Sequence, residues 1–376
     1  MKRRLLLWGI PLVVLVVLLA PLWILWCPGV QPWRRHAYRK LLYGQIVRQV
    51  VGPNASQEKA IERLADYMQT HLWTPGWAAP DDGTSADHLI RGIGWCDDQV
   101  KIYASLLATR NIPVRYAMLL EANGNSPHTI AEVWDGHHWG AYDVLFGLRF
   151  TDAQGRPLTL EDLSSHPALL DAQPAMASLR RQLPAEAQVI HGAYDRALPL
   201  AVPPRRSAPG TTRMTVFDRL LLAYARFGGP RFVTWYQDQY LGAHSAHVIS
   251  PAERLTLARH WHLAGRAEEA RRAYLQCIGD ASGPLEASEA RFWLGLLEWE
   301  LDADPAAAKR IWQALITDEP DSRWTPIAWY YMGRCAEALG ARAEAEAWYA
   351  KSSNVGPAAW LPLARLRESP RHRNTL

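Results

Sequence analysis

Hydrophobic and polar positions divide the chain into stretches of different period. Leu5–Trp26 runs for 22 residues without a charge. As a helix rising 1.5 Å per residue it covers about 33 Å, enough for a hydrocarbon core of about 30 Å. Pro11 and Pro21 are tolerable in a membrane helix, and Trp23, Trp26 and Trp33 suit its far interface. Signal-peptide cleavage needs small residues, and the best site, after Ala20, is followed at once by Pro21. An uncleaved membrane anchor is therefore expected over residues 1–30. Further on, Asn54–Gln57 opens a helix reaching about His71, with Ile61, Leu64, Ala65, Met68 and Leu72 on one stripe. Val100, Tyr103, Ala104 and Leu107 share one face of a helix that follows Cys96 and stops at Asn111 and Pro113. Residues 113–121 read as a strand. Residues 129–134 and 137–144 read as two more, around Asp135-Gly136, a strong hairpin signal.

The remaining periodicity is a repeat. Leu257-Ala258, Leu294-Gly295 and Met332-Gly333 open three copies, with the small residues 37 and 38 positions apart. Gly265, Asp302 or Gly340 then marks a turn, followed by Ala270, Ala307 or Ala345 and by Tyr274, Ile311 or Tyr349. Small residues at fixed positions let paired helices approach closely, and a large residue fills the gap. This resembles the tetratricopeptide repeat, lengthened in its connecting loops. The expected organisation is an α+β domain over 31–165, a loop-rich connector over 166–213, all-α repeats over 214–365 and a polar tail over 366–376. The connector ends in Pro199–Thr212, with four prolines in fourteen residues.

Charge refines this picture. Residues 1–57 hold eight basic side chains and no acid, against a chain total of +4, so the remainder is net −4. Nucleic acid is thereby disfavoured as a partner, and the basic excess sits where phospholipid headgroups would be. Lys2, Arg3 and Arg4 favour a cytoplasmic N-terminus. Arg34, Arg35, Arg39 and Lys40 argue the other way. The reading adopted is a single-pass protein with its domains outside the membrane, which in a Gram-negative cell is the periplasmic side of the inner membrane. The four cysteines show no paired spacing and no CxxC, so neither a disulfide framework nor a zinc site is suggested.

Candidate chemistry centres on Cys96. It sits at a helix N-terminus, where the positive end of the dipole stabilises a thiolate, and follows Gly92 and Gly94, which read as a flexible approach. Asp97 and Asp98 oppose that effect, so a basic partner is needed. A two-residue turn at Asp135-Gly136 would pair Trp134 with His137 and set His128 opposite Asp143, with Cβ atoms about 4.5–5.5 Å apart. A longer loop over Asp135–His138 would make that contact diagonal. An imidazole oriented by a carboxylate is what a cysteine nucleophile requires of its base. His137 and His138 are rivals for the role, though their plain reading is exposed hairpin residues.

The stretches SADHLIRGIGWCDDQVKIYASLLATRNIPVRY, PHTIAEVWDGHHW and GAYDV resemble a bacterial transglutaminase-like domain of the papain-like cysteine fold. In that family a Cys begins a helix, a His opens a strand and an Asp lies on the next strand, matching Cys96, His128 and Asp143. One departure is Val144-Leu145, where the family often has Pro-Thr or a similar pair. The resemblance implies amide chemistry through a thioester, with no metal or organic cofactor. Water as acceptor gives a protease or amidase, and an amine gives a crosslinking acyltransferase. The implied substrate is a protein or peptide, with a protein partner on the repeats. The competing reading is a non-enzymatic membrane scaffold, in one form an assembly factor for envelope polysaccharide.

Overall fold

The computed structural model describes residues 31–74, 83–121, 126–195, 205–206, 214–245, 250–280 and 283–368. The run Leu5–Trp26 lies outside them, and among the described residues no helix is long and apolar enough to cross a membrane.

Four helices precede the first strand. α1 (Gln31–Val51) buries Tyr38, Leu41, Leu42 and Ile46. α2 (Gln57–His71) begins where Ser56 Oγ accepts from Lys59 N, satisfying an otherwise unpaired first-turn donor, and buries Ile61, Leu64 and Met68. α3 (Ser85–Arg91) starts at a reciprocal Thr84–Asp87 capping box and ends at Gly92, whose φ of 67° suits glycine. α4 (Cys96–Ala108) buries the expected Val100, Tyr103, Ala104 and Leu107, but also Ile102 and Leu106 on its other side. It lies between the sheet and the other helices, so one polar face would have no solvent to meet.

β1 (Val114–Leu119), β2 (His128–Trp134), β3 (Trp139–Asp143), β4 (Leu148–Arg149) and β5 (Arg205–Arg206) form one antiparallel sheet, ordered β4-β3-β2-β1-β5. The two-residue turn at Asp135-Gly136 does not form. Trp134 pairs with Trp139 and Ala131 with Tyr142, so residues 135–138 make a four-residue loop. Asp135 decides this, because its Oδ1 accepts from the backbone N–H groups of both His137 and His138, at 2.7 Å each. That side-chain-closed turn outcompetes the tighter one.

The loop-rich connector is largely helical instead. Residues 160–195 form α5 (Leu160–Ser165), α6 (Ala168–Asp171), α7 (Pro174–Gln182) and α8 (Pro184–Asp195). They bury Leu170, Met176, Leu179, Ala187, Ile190 and Tyr194. Met176, Leu179, Leu183, Ala187, Ile190 and Tyr194 recur at helical spacing, a periodic signal that the density of turn residues around it obscured. Most of Pro199–Thr212 lies outside the described residues, but Arg205–Arg206 pairs with β1.

The C-terminal region begins with α9 (Val216–Phe227) and α10 (Gly229–Ser245). Three antiparallel helix pairs follow: α11 (Pro251–Leu263) with α12 (Ala267–Ile278), α13 (Pro284–Glu300) with α14 (Pro305–Asp318), and α15 (Thr325–Ala338) with α16 (Arg342–Ser352). α17 (Trp360–Glu368) closes the array, three residues beyond the expected boundary. The middle pair departs from the expected register by one residue. Its turn reaches the left-handed region at Ala303 rather than Asp302, so Ala308 and Trp312 occupy the places assigned to Ala307 and Ile311. The small-against-large rule survives the slip. A Cβ on Gly295 would meet the Trp312 indole at 2.5 Å, and one on Gly333 would meet the Tyr349 ring at 2.6 Å.

The two halves share their apolar cores. One core joins Ile130, Phe150 and Tyr194 to Trp293, Trp312 and Tyr331. The other joins α1, α2 and α4 to α9, α10 and α11 through Leu41, Leu64, Tyr103, Leu221 and Tyr236. Polar contacts reinforce the seam. His71 pairs with Glu300, which also lies 3.3 Å from His262, and Arg259 donates to the Ile90 carbonyl at 2.9 Å. Burial would raise the Glu300 carboxyl, but the neighbouring His71 and His262 hold it well below the usual carboxylate range. A proline-rich connector would suggest two loosely joined parts, but these contacts bind the α+β region to the helical pairs.

A chain cut once between residues 195 and 214 is expected to stay a single particle and to melt in one transition. Size-exclusion chromatography with calorimetry tests this, and two separable folded fragments would contradict the shared core. Gly333→Ala is expected to destabilise by about 1–3 kcal/mol through overpacking. Gly192→Ala is the control, because it lies in α8 with no atom within 4 Å of the added methyl. It should be neutral or stabilising by about 0.5–1 kcal/mol in the same denaturant titration.

Candidate active site

Cys96 is the first residue of α4 and is half-buried. The turn that carries it is tightly held, contrary to the flexible approach expected of two glycines. Trp73 N donates to Gly92 O and Gly94 N to Trp73 O, both at 3.0 Å. Gly94 O accepts from Thr74 Oγ1 at 2.6 Å and from Gln99 Nε2 at 3.2 Å. Gly92 serves packing as well as backbone geometry, because a Cβ there would overlap the Trp293 indole. The two acids after Cys96 are balanced. Asp97 pairs with Lys101 at 2.6 Å, and buried Asp98 pairs with Lys101 at 3.3 Å and His88 at 3.4 Å. Asp98 Oδ2 also accepts from Trp95 N at 3.2 Å, fixing the entry to the helix. As a first-turn donor, the Cys96 N–H has no partner inside its helix.

His128 opens β2 and is buried. Its Nε2 lies 2.7 Å from Asp143 Oδ2 at the end of β3, and the Cys96 side chain is close enough to the ring to favour its protonated form. The structure thus brings Cys96, His128 and Asp143 together. With Trp134 opposite Trp139, the register makes the His128–Asp143 contact diagonal rather than directly cross-strand. A diagonal neighbour is still within reach of an imidazole. His137 and His138 are exposed on the loop at the far end of the hairpin.

Burial by itself would drive the His128 proton off. The adjacent Asp143 charge and hydrogen bond outweigh it, with a further contribution from Cys96, and raise the ring to about 10. The Asp143 carboxylate is fully used. Oδ2 accepts from His128 and from the Tyr194 hydroxyl at 2.8 Å, while Oδ1 accepts from the N–H groups of Leu145 at 3.2 Å and Phe146 at 3.1 Å. The turn at Val144-Leu145, where the sequence leaves the family pattern, is the one that supplies two of these donors. Phe146 also lies against His128, with ring centroids 5.1 Å apart.

Tyr194 escaped the sequence reading. It lies 51 residues from Asp143 in a region taken for loop, and its ring stands edge-on to His128 at 6.0 Å. Its helical spacing marks a core position, but nothing in the sequence marks its hydroxyl as a partner of Asp143.

His128 has a folded-state value above its unfolded one of about 6.5. Its protonation therefore stabilises the fold fully below about pH 6.5, and that contribution is lost as pH rises towards about 10. In Asp143→Asn, histidine resonances followed by NMR should show the His128 titration moving down, since the main effect opposing burial is then lost. Tyr194→Phe removes one donor from a charged acceptor, at a cost of about 1.5–3 kcal/mol. If the site turns over amides, the expected result is a roughly tenfold lower kcat with little change in KM.

No curated protein and no solved structure matches the chain. Over residues 44–144, which hold Cys96, His128 and Asp143, the chain is similar to the Transglutaminase-like superfamily, whose family model matches that stretch.

Proposed function

We propose that the chain is a thiol enzyme that acts on amide or peptide carbonyls through an acyl-cysteine. The observation that carries this reading is His128 bonded to Asp143 with the Cys96 side chain beside its ring, inside the stretch matched by the superfamily model. In the reaction, the Cys96 proton already resides on the His128 nitrogen not engaged by Asp143 when Sγ attacks the carbonyl carbon. The tetrahedral oxyanion is met by the Cys96 N–H at the head of α4. The C–N bond breaks, His128 returns the proton to the departing amine, and a thioester remains on Cys96. Water then yields a carboxylic acid, or an acceptor amine yields a new amide, with His128 taking the proton from either nucleophile. Asp143 holds the imidazole and balances its charge, and Tyr194 holds Asp143.

The run Leu5–Trp26 would anchor this enzyme as a single-pass protein with its domains on the outer side of the inner membrane. The helix pairs, read as tetratricopeptide-like repeats, would dock a protein partner. The alternative of a non-enzymatic scaffold is weakened by a complete Cys-His-Asp set in which His128 is bonded to Asp143 and lies beside Cys96, for which a scaffold has no use.

Burial pushes the Cys277 thiol up to about 11 and the Cys335 thiol up to about 12, so both should be inert near neutral pH. A chloroacetamide probe at pH 7 is expected to label Cys96 in preference to these two, as read by peptide mass spectrometry. The labelling should fall strongly in His128→Ala and stay in His138→Ala. Cys96→Ala should abolish acyl transfer and hydrolysis while keeping the melting temperature. Full biological activity in Cys96→Ala would give the function to the scaffold reading.

A further inference from the structure

The solvent side of α9 is made of apolar and cationic residues. Val216, Arg219, Arg226 and Phe227 are exposed and share one side of the helix by their spacing. Val216 is 74% exposed and Phe227 89%, which leaves both far outside the core that Leu221 and Ala225 enter from the opposite side. The acid of this helix, Asp218, points inward, 2.6 Å from His36 and 3.8 Å from Lys40. The neighbouring elements extend the same chemistry. Trp33, near the start of α1, is 52% exposed and stands edge-on to Phe217 at 5.6 Å. Trp235 and Arg231 are exposed on α10, and Arg35 on α1. Among the described residues, none of Arg35, Arg219, Arg226 and Arg231 pairs with a carboxylate.

We infer that this face, built from α9 and the starts of α1 and α10, rests on an anionic phospholipid surface. Exposed Trp and Phe rings enter the headgroup region, and arginines meet lipid phosphates. The position of the apolar run favours lipid as the occupant, and the inference rests on the anchor reading for this proximity. Four residues separate Trp26 from Gln31, so the two lie at most about 18 Å apart. The start of α1 is therefore held close to the bilayer. The Trp33–Phe217 contact brings the start of α9 to the same place. The face would then fix which way the Cys96 site is turned relative to the membrane.

The test uses the full chain reconstituted in phosphatidylcholine vesicles with and without phosphatidylglycerol. A trace phospholipid carrying a headgroup diazirine is photolysed and the labelled peptides are mapped. Label is expected on residues 216–235 as well as on 1–30. The label on 216–235 should fall by about fivefold for each of Arg219→Gln and Arg226→Gln, and also when the anionic lipid is omitted. Val216→Glu with Phe227→Glu should remove it without shifting the melting temperature, because both side chains are exposed. Label confined to 1–30 would overturn the inference and leave the anchor standing. Label on 216–235 without any on 1–30 would support the inference and overturn the anchor. Label on neither would overturn both, and label on 216–235 indifferent to charge would overturn the anionic surface.

Discussion

The Trp293 indole fills the space that any side chain at position 92 would need, and the turn carrying Cys96 is built around that contact. Gly92 ends α3, the Trp73 bridge pins Gly92 and Gly94, and α4 begins two residues later. Arg259 also lies over this indole, 3.6 Å from its centroid, and donates to Ile90 O. A residue from the second helix pair therefore sets the geometry of a cysteine almost two hundred positions earlier. The rest of the architecture follows from it, because the helical pairs cannot move away from the α+β region without releasing that turn.

Asp143 carries the same dependence on the sheet side. Its carboxylate takes hydrogen bonds from a strand residue, two backbone amides of the following turn and a tyrosine in α8. Tyr194 comes from outside the stretch similar to the superfamily, so here a neighbouring helix completes the site. A buried carboxylate with all its acceptors occupied can hold a charged imidazole that burial alone would deprotonate.

The face of α9 contrasts with these buried networks. Its apolar residues do not complete a core, and its arginines do not meet carboxylates among the described residues. Such a surface is costly in water unless something covers it, which is why it bears on where the molecule sits.

The sequence by itself determined the elements whose period is strong. The stripe Ile61-Leu64-Met68 became α2, the apolar face after Cys96 became α4, and the small-large spacing became paired helices. It also pointed to Cys96, His128 and Asp143, through a helix start, a hairpin and a resemblance to a known family, although the two-residue turn it assumed does not form. Four things were decided only by tertiary structure. The hairpin register turned on Asp135 capping two amides, one hydrogen-bonding solution chosen over another of similar local plausibility. The middle repeat slipped by one because its turn holds one more residue, and the packing of Trp312 on Gly295 selected the slipped register. Residues 166–195 became helices because their apolar side found a core to enter. The glycines before Cys96 became rigid, and Tyr194 became a partner of Asp143, through contacts between residues far apart in sequence. Local period encodes which side of an element is buried, but only the folded chain fixes what that side meets.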